Sequence, residues 1–468
     1  MKFYNREQEL KELEKYLNIS NKSGIMLAIY GRRRVGKTEL VKEAFKNSKM
    51  FYFFAKKLSK EQVLAEFVEE MEKYLKITLG KFDDWSKPLE ILFEHAKREH
   101  VILVIDEFQN FNDIDKGVFS VFQALWDKHA KTSKILIVLV GSYVGMMKRI
   151  FFDSKEPLYG RVYNKYDIKP LKFNVAAEIL RDLKYTNKED IIELYSIFGG
   201  IPRYYIIMET ESLHGRKTME IVDSLLLKND SILRNEVMDI LIQEFGTNRS
   251  LYYSIIQAIA LGKCTPSEIA EAGAIEKTSI SKYLEELESE YEIIERKVPV
   301  TEEQPLKSKK GRYFLKDNFF RFWFRFIYRN MSYYEVGNYK YVREKIVEQI
   351  PAFIGRSFEG VCTQKLIELN NSNKLPCVFT KIGPWWDRKG NEIDIVAIGK
   401  ECMLFAGCKW ENKKTGFAEF NKLKEHSDIL DAKWKKYYAL FSKRGFEAEF
   451  VKFAKENGIL LFGADDII

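Results

Sequence analysis

Over the first third of the chain, short apolar runs alternate with stretches of helical spacing. Ile25–Tyr30 reads as a buried strand, Lys37–Phe45 as a helix, Met50–Phe54 as a second strand and Gln62–Tyr74 as a helix. Val101–Ile105 and Ile135–Val140 are further wholly apolar strands, with the helical stretch Val118–His129 between them. Strands that are apolar on both faces and interleaved with helices predict a mostly parallel sheet covered on both sides.

Beyond about residue 170 the period becomes helical. Asn174–Leu183 and Ile191–Phe198 have helical spacing, Gly199–Pro202 punctuates it, and the helical pattern resumes to about Leu261. Leu251–Lys316 has the order of a winged helix. A helix at Leu251–Leu261 precedes a second one opened by Thr265–Glu268, with Pro266 just inside it. Ala272–Gly273 turns the chain into a recognition-type helix at Thr278–Glu290, and the charged stretch Pro299–Arg312 supplies a hairpin wing. Asn318–Asn330 is dense in aromatic residues and Arg, a composition that predicts buried core.

From about Pro351 the α/β alternation returns. It predicts a helix at Phe353–Leu369, strands near Val378–Ile382, Ile393–Ile398 and Met403–Gly407, and a helix at Phe417–Ile429. A strand at Tyr437–Phe441, a helix at Glu447–Asn457 and a strand at Ile459–Phe462 complete it. The expected organisation is an α/β domain over 1–170, a helical lid over 171–250, a winged helix over 251–335 and a second, smaller α/β domain over 350–468.

One motif decides the chemistry. Gly31-Arg32-Arg33-Arg34-Val35-Gly36-Lys37-Thr38 matches G-x-x-x-x-G-K-[ST], between an apolar strand and a helix. The glycines let backbone N–H groups curl toward phosphate oxygens, Lys37 supplies a charge at the β and γ phosphates, and the Thr38 hydroxyl suits Mg²⁺. The expected ligands are therefore ATP and Mg²⁺. The strand Val101–Ile105 runs into Asp106 and Glu107. Asp106 is the expected second metal-holding residue, and Glu107 the expected general base for the attacking water. Ser142, after the strand Ile135–Val140, is a candidate sensor of the γ phosphate or a cap of the next helix. Arg161 is a candidate arginine finger or a structural arginine.

Composition narrows the class further. The 468 residues are 46% hydrophobic and 14% aromatic, enough for real cores. No stretch approaches the roughly 20 apolar residues that crossing a bilayer takes, and Met1–Leu17 lacks a signal-peptide core, so a cytoplasmic soluble protein with no membrane partner is expected. Five cysteines, none in a C-x-x-C pair, argue against zinc and a disulfide framework and for free thiols. With 76 basic and 68 acidic residues the net charge is +8, a weak pointer to a polyanionic partner.

Taken with Ile105–Gln109, Val140–Ser142, Gly160–Arg161 and Gly199–Pro202, the phosphate loop makes the chain resemble the archaeal P-loop ATPases of the STAND-like branch of the AAA+ relatives. That resemblance implies ATP hydrolysis, a helical lid with Gly199–Pro202 near the nucleotide, and a winged helix. The last domain resembles the PD-(D/E)xK nuclease fold. Glu359, Asp394 and Lys409 match its site residues, but Gly407 stands where the pattern has an acid, so a nuclease-like fold with a degenerate site is implied. Three readings stay open. The first is a nucleotide-driven switch that works on DNA, through Lys277, Thr278, Ser279, Ser281 and Lys282 of the recognition-type helix and Lys307, Lys309, Lys310 and Arg312 of the wing. The second is an ATP-dependent nuclease. The third is an ATP-controlled scaffold whose partner is a protein or a second copy of the chain.

Overall fold

The computed structural model describes residues 2–245, 249–376, 378–430 and 434–468. Five strands, β1 (Ile25–Tyr30), β2 (Phe51–Phe54), β3 (Val101–Asp106), β4 (Ile135–Gly141) and β5 (Asn164–Asp167), form one sheet in the order β2-β3-β4-β1-β5, with every pair parallel. β1, β3 and β4 are buried along their whole length, as their unbroken apolar runs require. Alternate residues feed two cores. Leu27, Ile29 and Val104 face one side, and Met26, Ala28 and Leu103 the other. β5 is the exception to the sequence reading. Its Asn-Lys-Tyr-Asp sequence carries no apolar run because it is an edge strand, bonded to β1 alone.

The chain then enters helices at Phe173–Asp182, Lys188–Phe198, Pro202–Thr210, Thr218–Leu225 and Glu236–Phe245. Residues 246–248, part of the expected helical run, lie outside the described residues. Helices at Arg249–Ala260, Pro266–Ala272 and Ile280–Glu285, the last extended by a wider turn over Glu286–Glu290, are followed by an antiparallel hairpin of β6 (Ile294–Lys297) and β7 (Arg312–Leu315). Thr265 caps the second of these helices in a reciprocal bond with Glu268. The aromatic run is core. Phe319, Phe320, Phe322, Trp323, Phe324, Phe326 and Ile327 are all at most 1% exposed, and Phe319 packs on Phe198 and Tyr204 at 5.7 and 4.7 Å between ring centres.

A helix of 33 residues, Tyr339–Asn371, links this part to the last sheet. It starts well before the expected Phe353 and runs through Pro351. The carbonyl that the proline leaves free is that of Val347, an exposed residue, where water can take the missing bond. The last sheet is mixed. β8 (Phe379–Trp386), β9 (Glu392–Gly399) and β10 (Cys402–Lys409) run antiparallel, and β11 (Lys435–Ser442) and β12 (Leu460–Gly463) continue parallel to β10. Among the cysteines, Cys264, Cys362 and Cys408 are free. Cys402 is disulfide-bonded, against the expectation of free thiols, and Cys377 lies outside the described residues.

Candidate nucleotide site

The ends of β1, β3 and β4 open at one edge of the parallel sheet, beside the point where the strand order turns from β4 to β5 around β1. Ligands of open α/β sheets gather there. From β1 the chain passes into the loop at Gly31. A Cβ at that position would lie 2.3 Å from the Ile168 carbonyl oxygen, so only glycine fits. Arg34 (φ 69) and Gly36 (φ 93) take left-handed backbone conformations that curl the loop into the helix Lys37–Ala44.

Lys37 is 6% exposed and donates to the loop's own carbonyls, Gly31 O at 2.8 Å and Arg32 O at 3.0 Å. Burial pulls its ammonium down to about 8, against the opposing pull of Glu107 and Asp106. One oxygen of Asp106, Oδ2, accepts from Thr38 Oγ1 at 2.8 Å and from the Tyr52 hydroxyl at 2.7 Å. The other, Oδ1, accepts the Glu107 N–H at 2.9 Å. A hydroxyl and a carboxylate this close, both hard oxygen donors beside a loop built for phosphates, fit Mg²⁺. That ion takes one or two carboxylates and completes its shell with phosphate oxygens and water.

Glu107 also has a left-handed backbone (φ 56). Its Oε2 accepts from Ser142 Oγ at 2.6 Å and from Gln109 Nε2. Ser142 therefore does not cap the following helix, whose cap position is Tyr143. Lys37, Thr38, Asp106, Glu107 and Ser142 line one cleft of about 880 Å³, together with Phe3, Tyr4, Leu171, Pro202 and Ile206. Pro202 lies 4.0 Å from where a Gly36 Cβ would be, so the Gly199–Pro202 motif sits against the phosphate loop.

Several neighbours were not foreseen. Tyr52 reads in sequence as strand core, and Gln109 as an unassigned part of the Asp-Glu-Phe-Gln run. The loop arginines are engaged by residues far along the chain. Arg32 pairs with Asp317 at 3.2 Å and lies over the Phe320 ring, Arg33 donates to Gln243, and Arg34 pairs with Glu236. No short sequence pattern joins positions so far apart. Arg161 does not line this cleft. It makes a two-pronged bond to Asp127, at 2.9 and 2.7 Å, and donates to the carbonyls of Pro157 and Tyr159.

The residue after Ser142 leads out of the cleft. Tyr143 stacks on Tyr291 with ring centres 5.7 Å apart and planes 13° apart. Gly145 passes so close to Glu290 that a Cβ would meet its Cα at 2.4 Å. Beside them Glu292 is buried and faces Lys148, Lys169 and Lys316. On the helix Ile280–Glu285 and the turn before it, Lys277, Thr278, Ser281 and Lys282 are exposed, while Ser279 is half-buried. In the hairpin connection Lys307 and Lys309 are exposed, whereas Lys310 pairs with Glu302 at 2.7 Å and Arg312 pairs with Glu392.

A second cavity, of about 1030 Å³, lies between that hairpin and the mixed sheet. Glu359, Asp394 and Lys409 all line it. Burial raises both carboxyl groups above their ordinary range, and the charge of Asp394 pushes Glu359 further. Asp394 Oδ2 accepts the Cys408 N–H at 2.7 Å. A Cβ at Gly407 would meet Leu440 at 3.0 Å and Leu423 at 3.8 Å, so an acid there would start into apolar core. Among the described residues no group of three His, Cys, Asp or Glu is placed to hold a metal ion.

The chain is similar to known ATPases. Residues 3–208 match a family model described as an ATPase domain predominantly from Archaea. Residues 323–428 match DUF234, described as archaeal and bacterial proteins of unknown function. "Uncharacterized protein MJECL04" of Methanocaldococcus jannaschii is 35% identical over 470 residues, 99% of each chain. "Uncharacterized ATP-binding protein MJ1076" of the same organism is 27% identical over 175 residues, 36% of this chain and 47% of that one. The solved structure of the Walker-type ATPase paby2304 of Pyrococcus abyssi superposes with a TM-score of 0.52 at 20% identity, over 69% of this chain and 96% of that one.

Proposed function

Given that this chain belongs to a family of archaeal P-loop ATPases, we propose that it binds ATP with Mg²⁺ in the Gly31–Thr38 cleft and hydrolyses it, and that the nucleotide state sets the posture of a nucleic-acid-binding module. Thr38 and Asp106 would hold the ion, whose contribution there would be to neutralise charge on the transferred phosphoryl group. Lys37 holds the phosphates, Glu107 takes the proton of the attacking water, and Ser142 orients Glu107. The observation that carries the reading is the run of contacts from Glu107 to Ser142 and from Tyr143 to Tyr291. It joins the hydrolytic carboxylate to the end of the recognition-type helix in a few residues.

In this reading the three helices and hairpin over 251–335 are a winged helix. Its exposed Lys277, Thr278, Ser281 and Lys282, with Lys307 and Lys309, meet a phosphate backbone. Lys310 and Arg312 do not take part, because Glu302 and Glu392 already neutralise them. The unit over 350–468 is a PD-(D/E)xK-like fold kept for its architecture: Glu359, Asp394 and Lys409 converge, but the missing acid at Gly407 leaves too few ligands for hydrolysis.

The test is steady-state ATP turnover with and without duplex DNA, single-stranded DNA and RNA, with Lys37→Ala as control. The reading expects turnover that needs Lys37 and rises with at least one nucleic acid in a salt-sensitive way. Equal ATP binding and turnover in wild type and Lys37→Ala refutes the site. Turnover indifferent to every nucleic acid refutes the module's role.

A further inference from the structure

The helix Glu236–Phe245 lies across the phosphate loop. Glu236, Gln243 and Glu244 are seven and eight residues apart, so they share one helical face. Glu236 pairs with Arg34, and Gln243 accepts from Arg33. Glu244 Oε2 is shut off from solvent and has no hydrogen-bond partner among the described residues. The cations bearing on Glu244 are Arg32, Arg33 and Lys37, the last being the residue read as the holder of the β and γ phosphates, while Asp317 repels it. A cavity of about 280 Å³ separates Glu244, Gln243 and Phe245 from Gln109 and Ser142, on the side of the cleft where Glu107 is held.

We propose that Glu244 is a specificity-determining residue: its carboxylate competes with the terminal phosphate of a nucleoside triphosphate for the loop's cations, so that ATP, and not ADP, drives the Glu236–Phe245 helix off the loop. The inference rests on the reading of Gly31–Thr38 as the ATP site and adds how that site tells the two nucleotides apart.

The physical case has three parts. First, burying a carboxylate with one oxygen, Oε2, left unbonded among the described residues is costly, and burial pushes Glu244 up to about 7. What holds it in place is the positive loop, so a ligand that takes over the loop's charge removes the reason for the helix to stay. Second, ADP brings no charge to the terminal position and leaves that attraction largely intact. Third, the helix has a lever at its end. Phe245 stacks on Tyr252 with centres 4.6 Å apart and meets Tyr291 edge-on at 4.8 Å, and Tyr291 is the ring stacked on Tyr143. Displacing the helix therefore disturbs the packing of the three-helix module.

The experiment is equilibrium binding of ATP and ADP to the full chain, at a pH above the value of about 7 to which burial raises Glu244, so that its carboxylate is charged. Wild type, Glu244→Gln and Glu236→Gln are compared. Removing one charge close to the phosphates predicts roughly tenfold tighter ATP binding in Glu244→Gln, with ADP changed less than about twofold. Glu236→Gln unties the helix while keeping the Glu244 charge, and tightens ATP selectively by a smaller factor. An unchanged ATP-to-ADP ratio in both variants overturns the proposal, as does equal tightening of the two nucleotides. If Lys37→Ala binds ATP as wild type does, the site itself is wrong. If Lys37→Ala loses ATP while the ratio stays fixed, only the role of Glu244 falls.

Discussion

Lys37 gives the sharpest quantitative expectation. Its ammonium is buried against two carbonyls, and burial brings it from 10.5 to about 8. That fall corresponds to about 3 kcal/mol of disfavour for the charged form. A triphosphate requires the ammonium, so binding above pH 8 must take up a proton. Affinity for ATP then falls about tenfold per pH unit, and roughly thirtyfold by pH 9.5 relative to pH 7. The terminal phosphate of ATP titrates at about 6, so it is already almost fully ionised over this window. Stability of the nucleotide-free protein moves the other way. The unfolded chain binds the proton more tightly between pH 8 and 10.5, so Lys37's contribution is unfavourable below 8 and is relieved as the pH rises through that window. Replacing it by an uncharged residue of similar length, Lys37→Met, is accordingly expected to stabilise the empty protein at neutral pH by up to about 3 kcal/mol while abolishing ATP binding. The assay is calorimetric or fluorescent nucleotide titration from pH 7 to 9.5, with Lys37→Arg as control, because its guanidinium stays charged throughout. A flat wild-type profile refutes the reasoning, and so does an equal slope in Lys37→Arg.

Two further expectations test the geometry around the cleft. A Cβ at Gly200 would stand 1.8 Å from the Leu171 carbonyl oxygen, and Leu171 donates to Gly200 O at 2.8 Å. Gly200→Ala should therefore cost about 3 kcal/mol or more and weaken ATP binding through Leu171 and Pro202; an unchanged denaturation midpoint would contradict the close approach. Arg161→Ala should lose about 1 kcal/mol with its partly exposed Asp127 pair and leave ATP turnover within about twofold. Lost turnover at unchanged ATP affinity would instead place Arg161 in the cleft of a neighbouring copy.

What could be read from the sequence was whatever is local or strictly periodic. β1, β3 and β4 announced themselves because strands covered on both faces must be apolar at every position. Lys37 and Thr38 were legible because a phosphate loop is a contiguous motif, and Asp106 and Glu107 because they follow an apolar run. β5 stayed hidden, since an edge strand needs no apolar face, and Pro351 misled because a long helix can lose one bond at an exposed carbonyl. Tyr52, Gln109 and Glu244 were illegible for a different reason. Each acts on the cleft from another element, and no spacing rule connects Tyr52 with Asp106 across 54 residues. The face of Gly407 also needed the sheet, because the sequence shows a missing acid but not that Leu440 and Leu423 occupy the space in front of it.

The three consecutive arginines of the loop bear on where the ATPase unit ends. Side by side on a tight turn, Arg32, Arg33 and Arg34 repel one another, and burial lowers Arg34 to about 10, with Arg203 adding to the effect. Their partners, Asp317, Gln243 and Glu236, all come from beyond residue 208, where the match to the ATPase family model stops. Asp317 is also the residue whose side chain caps the aromatic helix Asn318–Phe322, by accepting from Phe320 N–H at 3.0 Å. One carboxylate thus fixes both the start of the largest aromatic core segment and the first arginine of the nucleotide loop. Two of these partners, Asp317 and Glu236, bring opposite charge to the loop from outside the parallel-sheet unit. The nucleotide site is therefore built by the whole first two-thirds of the chain, and a change at its phosphates acts directly on the segments that carry the three-helix module.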